Sequence, residues 1–241
     1  VEEGKINQSG VQAGRKDARG VLFDLDGVLV STEGLKAVAH TETVASYGGR
    51  LEPWQYNAEM GRAYDDVIEA FIRLSGIDAD PEDYSQAFRA AYLGLLRVRL
   101  ELCPGAGELL QALRGQGYRL AVVSSSLRWM MDEILSRVRL NRFFDTIVSA
   151  EDVGAEKPSP EPYLLALERL ELERGYAVVV EDTQSGVTSG TGAGLQVIAV
   201  RHEHNVDHDF SRAALTLESL VDTEGVLRAI RRLLDDDRGP G

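Results

Sequence analysis

A single cysteine, Cys103, occurs in 241 residues, so no internal disulfide can form and a reducing compartment suits the chain. No apolar run approaches the roughly 18–20 residues of a membrane span, and residues 1–18 lack the apolar stretch of a secretory signal. Basic residues are also in short supply: 26 Lys and Arg stand against 39 Asp and Glu, a net charge of −13. With no Lys/Arg cluster to offset that excess, a nucleic-acid backbone or an anionic membrane would be repelled. These absences point to a soluble, cytoplasmic protein that binds neither nucleic acid nor membrane. They leave its oligomeric state open.

What is present suits a globular chain, 44% hydrophobic and 27% charged, with enough apolar residues for a packed core. The length fits one large domain or two modest ones. Residues 1–18, polar and without period, are expected to be a flexible leader, and residues 235–241 a flexible tail. Residues 20–25 (GVLFDL) read as a strand buried on both faces that ends in acids and Gly27. From Glu33 to about Leu100 the apolar spacing is helical, as in Val67, Ile68, Phe71, Ile72 and in Tyr84, Phe88, Ala91, Leu95, Val98.

β-rich runs at residues 120–123, 146–148, 177–180 and 197–200 then alternate with helical stretches at 107–114, 128–138 and 161–170. Ser159 is the expected N-cap of the last of these, with Pro160 at its first position. Val226, Leu227, Ile230, Leu233 and Leu234 mark a final amphipathic helix. Strand-helix alternation predicts an α/β fold, a Rossmann-like parallel sheet with helices on both faces. The helical block interrupts it after the first strand, so residues 19–32 and 101–234 are read as the core and 33–100 as an inserted α-helical cap.

Asp24 and Asp26 stand at the carboxyl end of the first strand, the ligand edge of an open α/β sheet. Strand alternation puts them on one side, about two ~3.3 Å rises apart. Carboxylates that close need a cation or a shared proton. At the ends of later strands or before helices come Ser124-Ser125-Ser126, then Lys157 before Pro158, then Glu181-Asp182. Taken singly, these are ordinary caps, solvated charges and turns; together they bring four carboxylates, hydroxyls and a lysine to one sheet edge.

This order, Asp-Leu-Asp-Gly, strand-Ser, Lys-Pro, Glu-Asp, resembles the haloacid dehalogenase superfamily of phosphotransferases. The helical insertion resembles the α-helical cap of its β-phosphoglucomutase and sugar-phosphatase branch. The resemblance covers nearly all of residues 20–220, including Pro104-Gly105 and Asp182-Thr183-Gln184-Ser185-Gly186. It implies that Asp24 is the nucleophile and Asp26 the general acid/base. Superfamily dehalogenases lack the second aspartate, so Asp-Leu-Asp implies phosphoryl transfer. Magnesium would be held by Asp24, the Asp26 main-chain carbonyl and Asp182, assisted by Glu181. Ser124, Ser125 and Lys157 would bind the phosphoryl group of a small phosphorylated metabolite.

The mutases of this branch carry a histidine on the first cap helix and an arginine in the cap loop. By ungapped count those places hold Lys36 and Tyr64, which favours a phosphatase. A mutase, or a non-catalytic phosphometabolite-binding protein, is the alternative. Glu33, Lys36, Arg62 and Tyr64 are expected to meet the substrate from the cap, Lys36 or Arg62 as its cations, and Trp54 and Tyr56 to pack inside it. His202-Glu203-His204 and His208 read as a polar loop after a strand, with no metal role expected. Gly190 and Gly192 depart from the alanine-rich helix usual at that place and would each cost ~1 kcal/mol of helix propensity.

Overall fold

The computed structural model describes residues 18–236. The expected leader lies outside them except for Ala18, and so does the expected tail beyond Asp236. Asp235 and Asp236 themselves complete the last helix.

Short runs of small and β-branched residues form six parallel strands: β1 (Gly20–Phe23), β2 (Arg119–Val123), β3 (Thr146–Val148), β4 (Ala177–Glu181), β5 (Gln196–Val200) and β6 (Leu215–Leu217). Their order is β3-β2-β1-β4-β5-β6. Every pairing is parallel. Because β2 and β4 flank β1, the strand order reverses between β1 and β4. That topological switch opens a crevice at their carboxyl ends. β6, with its short half-exposed Leu-Thr-Leu, escaped the sequence reading because an edge strand carries little apolar signal.

Alternation along the strands sends Val21 and Phe23 to one face and Leu22 to the other. The first face packs on α4 (Ala106–Gly115), α5 (Arg128–Arg137) and α8 (Thr223–Asp236). The second packs on α6 (Glu161–Leu170) and α7 (Gln184–Gly192), through residues such as Tyr163, Leu167 and Val187. The N-terminal end of α6 differs from expectation: Pro160 is the N-cap, with Ser159 one residue earlier. Ser159 Oγ still accepts from the Glu161 amide at 3.3 Å. Gly190 has a packing reason, since a Cβ there would come within 2.8 Å of Val197 Cγ2 on β5. Gly192 meets only Pro160, at an ordinary 3.6 Å, and nothing in the structure explains it.

Between β1 and β2 lie three helices: α1 (Glu33–Ser46), α2 (Tyr64–Ser75) and α3 (Pro81–Arg99), with a 3₁₀ stretch at Pro53–Glu59. The outgoing and returning chains pair antiparallel at Val30 and Leu102. Ser31 N–H donates to Glu101 O and Cys103 N–H to Leu29 O, both at 3.0 Å. Burial pushes the Cys103 thiol up to about 12, which keeps it protonated and suits a packing role. Tyr56 is buried as expected, but Trp54 is 70% exposed and packs into nothing.

His40, on α1, is the centre of the helical block. Its ring stacks on Phe88 at 4.1 Å and meets Phe71 at 4.7 Å, with the Tyr84 hydroxyl 3.1 Å from Nδ1. Burial, with the Lys36 charge added, pushes its pKa down to about 3. The unfolded chain therefore binds a proton between about pH 6.5 and 3 that the folded chain refuses, so this contribution is present above pH 6.5 and lost on acidification. Lowering the pH from 7 to 4.5 is expected to remove about 2–3 kcal/mol through this one group. Urea denaturation of His40→Phe at both pH values should show that much less acid sensitivity than the parent; equal sensitivity would contradict it.

Candidate active site

Asp24 follows β1 directly, its amide donating to Val180 O on β4 at 2.9 Å. The Lys157 ammonium lies against it: Nζ donates to Asp24 Oδ1 at 2.5 Å, Glu181 Oε1 at 2.6 Å and Val123 O at 3.0 Å. An ammonium has three donors, and all three are committed. Lys157 thus supplies charge beside Asp24.

Glu181 is as heavily engaged as Lys157. Oε1 accepts from Lys157 and from the Tyr163 hydroxyl, while Oε2 accepts from the amides of Asp182 and Thr183 and from Thr183 Oγ1. Burial would raise its pKa, yet Lys157 and these hydrogen bonds hold it below the ordinary carboxylate value. Fully engaged and completely buried, it acts as a strut between Lys157 and the loop after β4.

Asp26 sits in a separate cage. Oδ1 accepts from Thr32 Oγ1 at 2.5 Å and pairs with Lys36 Nζ at 2.9 Å; Oδ2 accepts from Ser126 Oγ at 2.7 Å and Ser124 Oγ at 3.3 Å. Thr32 is the N-cap residue of α1, yet it makes no side-chain capping bond, its hydroxyl being turned to Asp26. Burial opposes ionisation, but Lys36 and these hydroxyls outweigh it and lower the Asp26 pKa. Asp24 has the opposite balance. Burial, only partly countered by Lys157 and reinforced by Glu181, Asp182 and Asp26, pushes its carboxyl well above the ordinary range.

Asp182 completes the edge. The β4–β5 register sets Glu181 opposite Ala199, which delivers the following loop to Asp182. His202 Nε2 lies 2.8 Å from Asp182 Oδ2, and Asn205 Nδ2 donates to Asp182 O at 2.8 Å. The His204 amide donates to His202 Nδ1 at 3.2 Å. Burial lowers the His202 pKa, so the ring is neutral with its hydrogen on Nε2, pointing at Asp182. Gly27 permits the approach: its φ is +78°, and a Cβ there would fall 2.2 Å from Asp182 Oδ2. The loop read only as a polar one thus reaches the site through His202 and Asn205.

These residues fit a hard cation. Asp182 Oδ1 is buried without a hydrogen-bond partner among the described residues. Burial, then Glu181 and Glu33, pushes the Asp182 carboxyl well above its ordinary value, burial and neighbouring acids do the same to Asp24, and a cation between them would relieve both. Among the described residues no three His, Cys, Asp or Glu side chains converge into a metal cage. A pair of carboxylates completed by water and phosphate oxygen is the way proteins hold Mg²⁺, whereas zinc sites enclose their ion.

One cavity joins Asp24, Asp26, Ser124, Ser125 and Lys157 to the helical block, with about 640 Å³ of empty space, part of it open to solvent. The block contributes Glu33, Lys36, Arg62 and Tyr64, the residues expected there, together with His40, Tyr56 and Phe88. Both expected cations carry acidic partners. Lys36 is held by Asp26 and by Glu33 Oε1 at 3.2 Å, and Arg62 by Glu59 and, at 3.6 Å, by Asp66. Tyr64 shares a hydrogen bond with Ser85 Oγ at 2.9 Å. No helix among the described residues is long and apolar enough to cross a membrane.

A haloacid dehalogenase-like hydrolase family model matches residues 21–200. The phosphorylated carbohydrates phosphatase of Thermotoga maritima is 29% identical over 218 residues, covering 89% of this chain and 99% of its own. Phosphoglycolate phosphatase of Aquifex aeolicus is 34% identical over 178 residues, 74% of this chain and 82% of its own. Among solved structures, CbbY from Rhodobacter sphaeroides in complex with phosphate superposes with a TM-score of 0.76 at 27% identity, covering 85% of this chain and 96% of that one. Sheet order, strand-end acids and matched length agree, and the chain belongs to the haloacid dehalogenase-like hydrolase family.

Proposed function

We propose that this protein is a magnesium-dependent phosphatase that hydrolyses a small phosphorylated metabolite through a phosphoryl group carried on Asp24. The observation that carries the reading is the contrast between two aspartates two positions apart. Asp24 faces a lysine and a crowd of acids, whereas Asp26 is caged by hydroxyls and Lys36. A cation beside Asp24 would bring its raised carboxyl to the ionised form a nucleophile needs, and Asp26, held by neighbours of its own, is left to carry protons.

In the first step an Asp24 oxygen bonds to phosphorus as the ester oxygen leaves, taking a proton from Asp26. Water then attacks the same phosphorus, gives a proton to Asp26, and inorganic phosphate departs with Asp24 restored. The lowered Asp26 pKa suits it to take the proton of the attacking water, which it then passes to the next leaving oxygen. Lys157 offsets charge beside Asp24, and Glu181 fixes Lys157. Asp24, Asp182 and the Asp26 main-chain carbonyl would hold Mg²⁺, which when bound supplies positive charge against the phosphoryl oxygens. His202, holding Asp182 Oδ2, leaves Oδ1 as the oxygen for that role.

The named relatives support hydrolysis, since two of them are phosphatases. The helical block supports it as well: Lys36 and Tyr64 fill the places where mutases carry their histidine and arginine, and both are engaged within the protein. Phosphate release from a panel of phosphomonoesters tests the proposal. Release is expected with Mg²⁺, should stop with chelator, and should return when Mg²⁺ is restored. No release from any member, or release indifferent to chelator, would overturn it.

A further inference from the structure

We propose that His202 holds Asp182 as a one-oxygen ligand, so that this chain selects a small six-coordinate cation over a larger one able to take both carboxylate oxygens. The role rests on the magnesium reading above and adds to it the residue that sets the choice of ion.

The His202 ring is fixed at both nitrogens. Nε2 lies 2.8 Å from Asp182 Oδ2, and Nδ1 accepts from the His204 amide at 3.2 Å. With Nδ1 occupied as an acceptor, the hydrogen sits on Nε2 and is given to Oδ2. Neither nitrogen has a lone pair to spare. His202 is therefore no ligand itself but a positioning residue that acts through Asp182.

A buried amide keeps the ring in place. Asn205 is 0% exposed, and its side chain is filled: Nδ2 donates to Asp182 O at 2.8 Å and to Val200 O at 2.9 Å, while Oδ1 accepts from the His202 amide at 3.0 Å. One residue thus ties the main chains of Asp182, His202 and the end of β5 together, and the His202 ring closes the circuit on the Asp182 carboxylate. A fully satisfied buried network of this kind fixes one arrangement, which an incidental contact of a surface loop does not. The pair also presses on the turn that carries Asp24 and Asp26, since a Cβ at Gly27 would stand 2.2 Å from Asp182 Oδ2 and 2.8 Å from His202 Nε2.

The result is a carboxylate with two unlike oxygens. Oδ2 is spent on His202, whereas Oδ1 is buried with no hydrogen-bond partner among the described residues. Mg²⁺ demands near-octahedral order and few protein carboxylates, while Ca²⁺ takes about six to eight oxygens and accepts both from one carboxylate. An Asp182 that offers a single oxygen suits the first ion and withholds from the second its two-oxygen grip.

The test is calorimetric titration of the full chain with Mg²⁺ and with Ca²⁺, without substrate, for the parent, His202→Leu and His202→Gln. The parent is expected to bind Mg²⁺ more tightly than Ca²⁺. Leucine keeps bulk and removes the donor, so the preference for Mg²⁺ should fall by about 10-fold, the lower end of what such outer partners are worth. Glutamine restores a side-chain donor and should return most of the preference, which a role in packing alone would not do. In the parent itself, nitrogen NMR of labelled histidine should show His202 with its hydrogen on Nε2, a signature that does not depend on how either variant folds. Mg²⁺ binding with an unchanged preference in His202→Leu would overturn the inference and leave the phosphatase standing, as would a parent that prefers Ca²⁺ or carries the His202 hydrogen on Nδ1. No Mg²⁺ binding by the parent would remove the magnesium reading together with the inference.

Discussion

Asp24→Asn is expected to lower phosphate release by at least about four orders of magnitude while leaving the fold at least as stable as the parent. The amide keeps the shape of the carboxylate but cannot bond to phosphorus as an anionic nucleophile. Stability goes the other way because the Asp24 pKa is raised, by burial first and then by the acids around it. A carboxyl whose folded pKa lies above its unfolded one destabilises the protein once pH exceeds the unfolded value, and the penalty is fully present above the folded value. Near neutral pH and without magnesium, removing that charge relieves Glu181, Asp182 and Asp26 together. A dead variant that melts no lower than its parent is the expected pair of results, from a phosphate assay and a thermal melt. Substantial residual turnover would contradict the nucleophile assignment, and a large loss of stability would contradict the electrostatic one.

Lys157→Met should be as damaging to activity, at least about 1,000-fold, with the opposite effect on stability. Lys157 joins Asp24 to Glu181 in a site that is 4% exposed at the lysine and 0% at the glutamate. Breaking a buried pair from one side leaves the other charge stranded, at about 3–5 kcal/mol. Here Glu181 loses the partner that does most to hold its pKa down against burial. In the parent that lowered pKa gives stability that is present above the unfolded value and lost on acidification. The deficit of Lys157→Met should therefore shrink as the pH falls from 7 towards 4, because the stranded carboxylates can protonate. Urea denaturation at several pH values reads this, and a deficit independent of pH would contradict it.

The sheet and its ligand edge were legible because buried parallel strands read as unbroken apolar runs, and Asp24, Ser124 and Asp182 each follow one. The helical block was legible from its period. What stayed hidden depends on which atoms meet, and a linear pattern does not carry that. Thr32 looks like an ordinary N-cap, yet its hydroxyl serves Asp26. Ser126 differs in no visible way from Ser125, but the turn after β2 aims its hydroxyl at Asp26. His202 and Asn205 reach Asp182 only because β5 is paired with β4.

Hydrogen-bond partners were the other part that residue types did not carry. Glu181 and Lys157 have the right chemistry for metal and phosphate, and the structure adds their bonds to each other and to their neighbours. Lys36 and Arg62 read as free cations because the acids that neutralise them are identified only by geometry. A pattern of residue types finds the site; the saturation of each atom decides what the residue can do there.

The central claim is that phosphorus is transferred twice, first to Asp24 and then to water. The most direct test is the stereochemical course at phosphorus, followed with a chiral thiophosphate monoester hydrolysed in isotopically labelled water. Two in-line displacements predict net retention of configuration. Net inversion would mean that water attacks the ester directly, and the role given to Asp24 would be wrong.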